Sequence, residues 1–95
     1  MRLSEEMKRY FSDEVERIRP GARVYLFGSR VDDEKRGGDI DIMILADRRL
    51  EFEEMSRLRV GFWKRFGEQK VDLVSYGFDE RDPFKDLIMD YAVEI

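Results

Sequence analysis

The sequence predicts a small α/β (α+β) domain, a mixed β-sheet with flanking helices, on three observations. Its 95 residues are the length of one compact core, and no repeat, linker or low-complexity stretch divides them. Apolar residues recur at three- and four-residue steps in some stretches and alternate in others, so helical and strand periods are both present. The charged fraction of 42% is high, but 42% hydrophobic residues, including 7 Phe, 4 Tyr and 1 Trp, suit a folded core rather than a disordered chain. The expectation is one domain over residues 1–95.

Each element has its own justification. From Leu3 to Ile18 the residues Leu3, Met7, Tyr10, Phe11, Val15 and Ile18 make one helical stripe, which Pro20-Gly21 stops. Ala22–Ser29 holds the β-prone run Val24, Tyr25, Leu26, Phe27 and ends at Gly28-Ser29. A polar loop, Arg30 to Gly38, carries Asp32, Asp33, Glu34, Lys35 and Arg36. Asp39–Asp47 reads as a strand with Ile40, Ile42 and Ile44 on one face and Asp39, Asp41, Met43 and Leu45 on the other. A second helix spans Leu50–Phe66 on the stripe Met55, Leu58, Phe62, Phe66, with Gly67 as its stop. Lys70–Tyr76 is a third strand. Asp82 caps a last helix with Pro83 at its first position, and Phe84, Leu87, Ile88, Tyr91 and Ile95 are its expected buried side. The order is α-β-β-α-β-α.

Composition removes whole classes of chemistry. The chain has no cysteine, hence no disulfide, thiol nucleophile or thiolate metal site, and no histidine, the commonest general base and zinc ligand. Any metal must be held by oxygen, which selects magnesium, manganese or calcium. With 18 basic against 22 acidic residues the net charge is −4, which disfavours a broad grip on nucleic acid. Arg57, Arg59, Lys64 and Arg65 form a basic side to the second helix, read as a solvated face. No apolar run reaches membrane-spanning length, and MRLSEEMKRY lacks a signal-peptide core, so the expected location is the cytoplasm.

Three features call for a joint explanation. A strand ends in Gly28-Ser29, Asp39 and Asp41 lie on one face of the next strand, and Asp72 interrupts the apolar KVDLV run. A carboxylate between Val71 and Leu73 is costly to bury unless it is paired or metal-bound. Two carboxylates at i and i+2 repel each other, and a divalent cation between them relieves that repulsion. A third from a neighbouring strand completes an oxygen-only site with room for two magnesium ions. The Gly-Ser turn offers backbone N–H groups to phosphate oxygens, and Arg30 adds a charged donor, with Lys35 or Arg36 as further candidates. Each signal alone is ordinary; Gly-Ser followed by Asp-x-Asp at this spacing arises by chance roughly once in a thousand chains of this length at average residue usage.

The residues GSR (Gly28–Arg30), DID (Asp39–Asp41) and KVDLV (Lys70–Val74) together resemble the DNA polymerase β-like nucleotidyltransferase superfamily, and within it the minimal nucleotidyltransferase (MNT) domains. The resemblance covers roughly Tyr25 to Ile95. It implies that Gly28, Ser29 and Arg30 bind the nucleotide triphosphate and that Asp39, Asp41 and Asp72 are the catalytic residues and magnesium ligands. Gly38 departs from the pattern, since many relatives carry Ser before the first aspartate. The resemblance also implies AMP transfer from ATP to a hydroxyl, and a helical HEPN-domain toxin as partner, with this chain as its antitoxin.

Two readings compete with the protein-modifying enzyme: an antitoxin that neutralises by binding alone, and a transferase for a small molecule of the aminoglycoside type. The second is disfavoured because 95 residues leave no room for a substrate domain, which also points substrate choice toward a partner. Trp63, Phe52 and Tyr10 are weighed as partner-facing aromatics against ordinary core residues.

Overall fold

Ser4 starts the first helix in the computed structural model, which describes residues 3–28 and 39–95. Its hydroxyl accepts the Met7 N–H at 3.2 Å, and Glu5 and Glu6 sit in the first turn, where the helix dipole favours negative charge. The helix α1 (Glu5–Ile18) buries Tyr10, Phe11 and Val15. Strand β1 (Arg23–Phe27) follows, then β2 (Ile40–Ala46), helix α2 (Phe52–Phe66), β3 (Val71–Gly77), α3 (Pro83–Met89) and the two-residue β4 (Val93–Glu94). The expected order α-β-β-α-β-α is present, with β4 added after it.

The sheet runs β3-β2-β1-β4. β1 pairs antiparallel with β2 and β4, whereas β2 and β3 are parallel, so the sheet is mixed. The crossover from β2 to β3 is α2, the length of connection that parallel strands require. Strand alternation gives the sheet two apolar faces. Val24, Leu26, Ile40, Ile42, Ile44, Val71 and Leu73 pack under α1 and α2 with Phe11, Leu58 and Phe62. Tyr25, Phe27, Met43, Leu45 and Tyr76 form the other face and receive Ile88 of α3. Arg19, just past α1, binds Glu54 at 2.7 Å and Asp47 at 3.2 Å, tying that helix to the first turn of α2 and to the end of β2.

The two readings weighed for the aromatics are resolved residue by residue, and the expectation for the last helix is corrected. Tyr10 is buried and its hydroxyl donates to the Leu58 carbonyl at 2.9 Å, so the core reading holds for it. Trp63 packs against the core, half-buried, because its indole N–H finds the Gln69 carbonyl at 2.7 Å; Phe52 alone of the three is exposed. The last helix stops at Met89, and Phe84, Leu87 and Tyr91 are exposed. Only Ile88 and Lys85 of α3 are buried, since a helix of 7 residues touches the sheet over barely one turn. Among the described residues no helix is long and apolar enough to cross a membrane.

Candidate active site

The aspartates gather at one end of the sheet because of strand register. Asp41, second residue of β2, lies between Phe27 of β1 and Asp72 of β3, its parallel partner. Ile40 N–H donates to the Lys70 carbonyl at 3.0 Å, extending the pairing to the start of β3. Two side chains of α2 hold that start in place: Trp63 on Gln69, and Arg59, whose Nε donates to the Val71 carbonyl at 3.2 Å. Period-two alternation turns Asp41 to the Met43 and Leu45 side of β2 and Asp72 to the Tyr76 side of β3. That is the α3 face of the sheet.

Close packing beneath Asp41 depends on Gly28. Its φ is +75°, a backbone conformation side-chain-bearing residues rarely adopt, and a Cβ there would stand 2.1 Å from Asp41 Oδ2. The carboxylate therefore occupies the space that only glycine leaves free.

The electrostatics follow from this crowding. Partial burial raises the pKa of Asp41 first; the charge of Asp72, a hydrogen bond between the two carboxyls, and Asp39 push it the same way, while Lys70 pulls it down. Lys70 Nζ lies 3.7 Å from Asp39 Oδ2. Asp41 and Asp72 are thus cross-strand neighbours in parallel register, with Asp39 two residues upstream of Asp41 beside a lysine. Among the described residues no three acidic side chains are drawn into a ready-made ligand cage. The donor set nevertheless fits a hard divalent cation: all oxygen, like-charged, and held together against mutual repulsion. Ser29 and Arg30, and the loop acids Asp32, Asp33 and Glu34, lie outside the described residues.

A profile for the nucleotidyltransferase domain matches residues 7–95. The chain belongs to the nucleotidyltransferase domain family. A sequence comparison with curated proteins gives no match. Among solved structures, a toxin–antitoxin complex with AMP-PNP shares 20% identity over 92% of this chain and 70% of its own, with a TM-score of 0.70. A point mutant of the MntA-HpeT toxin–antitoxin complex shares 20% identity over 93% and 69%, TM-score 0.67. An aspartate-to-glutamate double mutant of MntA-HpeT shares 18% over 92% and 70%, TM-score 0.68. At these identities the likeness establishes a common fold.

Within this nucleotidyltransferase domain, Lys70 is the neighbour that sequence reasoning missed. It stood in KVDLV without a role, although its place two residues before Asp72 puts it on the same side of the strand. The contact between Gly28 and Asp41 was also invisible, because it depends on how β1 and β2 pair. A groove of about 740 Å³ between α1 and α2, lined by Tyr10, Glu14, Arg17, Arg57 and Lys64, lies on the opposite side of the sheet from the aspartates.

Proposed function

We propose that this chain is a magnesium-dependent transferase that moves AMP from ATP to a hydroxyl of a partner protein, and that it is the antitoxin of a toxin–antitoxin pair whose other member is a HEPN-domain protein. The observation that carries this reading is the parallel pairing of Asp41 with Asp72, with Asp41 packed against Gly28, which sets two carboxylates side by side at the strand ends of a nucleotidyltransferase domain. Further support comes from the similar complexes: one contains AMP-PNP, an ATP analogue, and another is mutated at two aspartates separated by one residue, the spacing of Asp39 and Asp41.

In this reading the acceptor oxygen bonds to the α-phosphorus of ATP while the bond from that phosphorus to the β-phosphate oxygen breaks. Pyrophosphate leaves, and the acceptor proton passes to a carboxylate, which in this reading is Asp72. Asp39, Asp41 and Asp72 would hold magnesium, which supplies Lewis-acid activation of the hydroxyl and neutralises charge on the phosphates. Gly28, Ser29 and Arg30 would hold the triphosphate, through backbone N–H groups and a guanidinium. Such chemistry rests on positioning and charge neutralisation, so a chain without His or Cys is equipped for it.

The test is incubation of the chain with its partner, magnesium and ATP labelled on the α-phosphate. Label on the partner is the expected result. A stable complex that takes up no label, at any magnesium concentration, would replace the enzyme with an antitoxin acting by binding alone.

A further inference from the structure

The net charge of −4 is not spread over the molecule. Residues 1–77 carry 16 acidic and 16 basic side chains; residues 78–95 carry 6 acidic and 2 basic. One of those two cations, Lys85, is buried, its Nζ donating to the carbonyls of Gly77, Phe78 and Glu80, so Arg81 alone faces outward. Among the described residues, the side chains of Asp79, Asp86 and Asp90 have no ion-pair or hydrogen-bond partner.

The same segment holds most of the exposed large apolar side chains, among them Phe84 (48% exposed), Leu87 (57%), Met89 and Tyr91 (46%); Val93, paired with Leu26, turns to the other face of the sheet. Exposed apolar side chains gathered on one short helix and edged by charge mark interaction sites rather than ordinary solvent-facing surface. Its place in the fold gives it a use. α3 lies on the sheet face to which Asp41 and Asp72 turn, and Phe84 meets the Phe27 ring edge-on at 6.4 Å. Phe27 is both the residue before Gly28 and the cross-strand partner of Asp41. The apolar acidic surface therefore begins one side chain away from the aspartates.

We infer that the exposed face of α3 and the Tyr91 turn after it is where the acceptor protein docks, and that the acceptor meets it with an apolar surface edged by lysine or arginine. The inference rests on the protein-acceptor reading above and adds to it the surface and the charge of the partner. Apolar contacts at Leu87 and Tyr91 supply affinity, and the acidic rim of Asp86 and Asp90 supplies attraction and orientation. A protein seated there presents its hydroxyl on the face where phosphoryl transfer takes place. Selection of the acceptor then comes from docking beside the site rather than from a pocket around it.

The experiment compares wild type, Leu87→Ser/Tyr91→Ser and Asp86→Lys/Asp90→Lys, using as probe the purified protein encoded beside this chain. Affinity is measured by calorimetry at two salt concentrations, with AMP-PNP affinity and thermal melting as controls. All substituted positions are solvent-exposed, and thermal melting checks that each variant folds. The apolar pair is expected to weaken the complex at least about tenfold. The charge reversal is expected to weaken it and to flatten its salt dependence. Neither should alter AMP-PNP affinity. Equal affinity in all three chains overturns the inference, as does a wild type that forms no complex. So does a wild-type dimer that the Leu87/Tyr91 substitutions dissolve, since a second copy would then be the occupant. Complex formation that depends on Leu87 and Tyr91 but leaves no AMP on the probe defeats the transferase reading and leaves the docking surface standing. Equal AMP labelling by all three chains does the reverse.

Discussion

Asp41 concentrates the physics of the site in one side chain. Its folded pKa lies above the ordinary 3.8, so the folded state holds its proton more tightly than the unfolded chain does. Stability is then lost as pH rises from that ordinary value through the raised one, and the loss persists at neutrality. Asp41→Asn is expected to raise stability at pH 7 by on the order of 0.5 kcal/mol, discounted for its partial exposure, and to leave it nearly unchanged below pH 3. Melting curves across that range check it. Gly28→Ala works in the opposite direction, since it strains the φ of +75° and drives a methyl into the Asp41 carboxylate. The expected cost is about 1 kcal/mol or more, with loss of pyrophosphate release. Glu80 behaves as a conventional paired carboxylate. The Arg49 guanidinium, with help from the Gly77 N–H, lowers its pKa from 4.5 to about 2. Its contribution is present above pH 4.5 and disappears as pH falls toward 2. Glu80→Gln should flatten acid unfolding in that window, read as a smaller change in denaturation midpoint between pH 5 and pH 2.

At the scale of elements, α3 is the instructive case. A sequence stripe of Phe84, Leu87, Ile88 and Tyr91 predicts a buried helix face, yet the helix buries Ile88 and a lysine. Lys85 replaces that lost packing with three hydrogen bonds to the carbonyls of Gly77, Phe78 and Glu80, at 2.8 to 3.0 Å, and so pins the β3–α3 turn. Nothing in the sequence distinguishes this lysine from a solvated one, because its partners are backbone atoms positioned by a turn. Lys85→Met leaves buried acceptors unpaired and is expected to cost about 1–3 kcal/mol. Hydrogen exchange should show the loss first in α3 and β4. The elements whose outlines were legible, α1, α2 and the three longer strands, have sustained periodicity. For α3 and β4 the hydrophobic pattern is too short to say which face is covered.

For the whole molecule, the consequence of this arrangement is a folded state that stores like-charge repulsion at one end of its sheet. A ligand that binds only the folded state stabilises it by mass action. Magnesium is therefore expected to raise the melting temperature of the wild type more than that of Asp41→Asn, with the difference growing as magnesium is titrated over the millimolar range. Equal shifts in the two chains would count against cation binding at Asp41. The fold class and element order were readable because each element announces itself locally, by a cap, a period or a breaker. The residue composition likewise restricts the site to oxygen chemistry. Alternation within one strand put Asp39 and Asp41 on the same side. What only the tertiary structure decided is the meeting of Asp41 with Asp72 and Gly28, the approach of Lys70 to Asp39, and the uncovered apolar face of α3. Those depend on strand register and on which surfaces have a neighbour. Both are settled by contacts between residues far apart in the chain, and a local pattern carries no information about them.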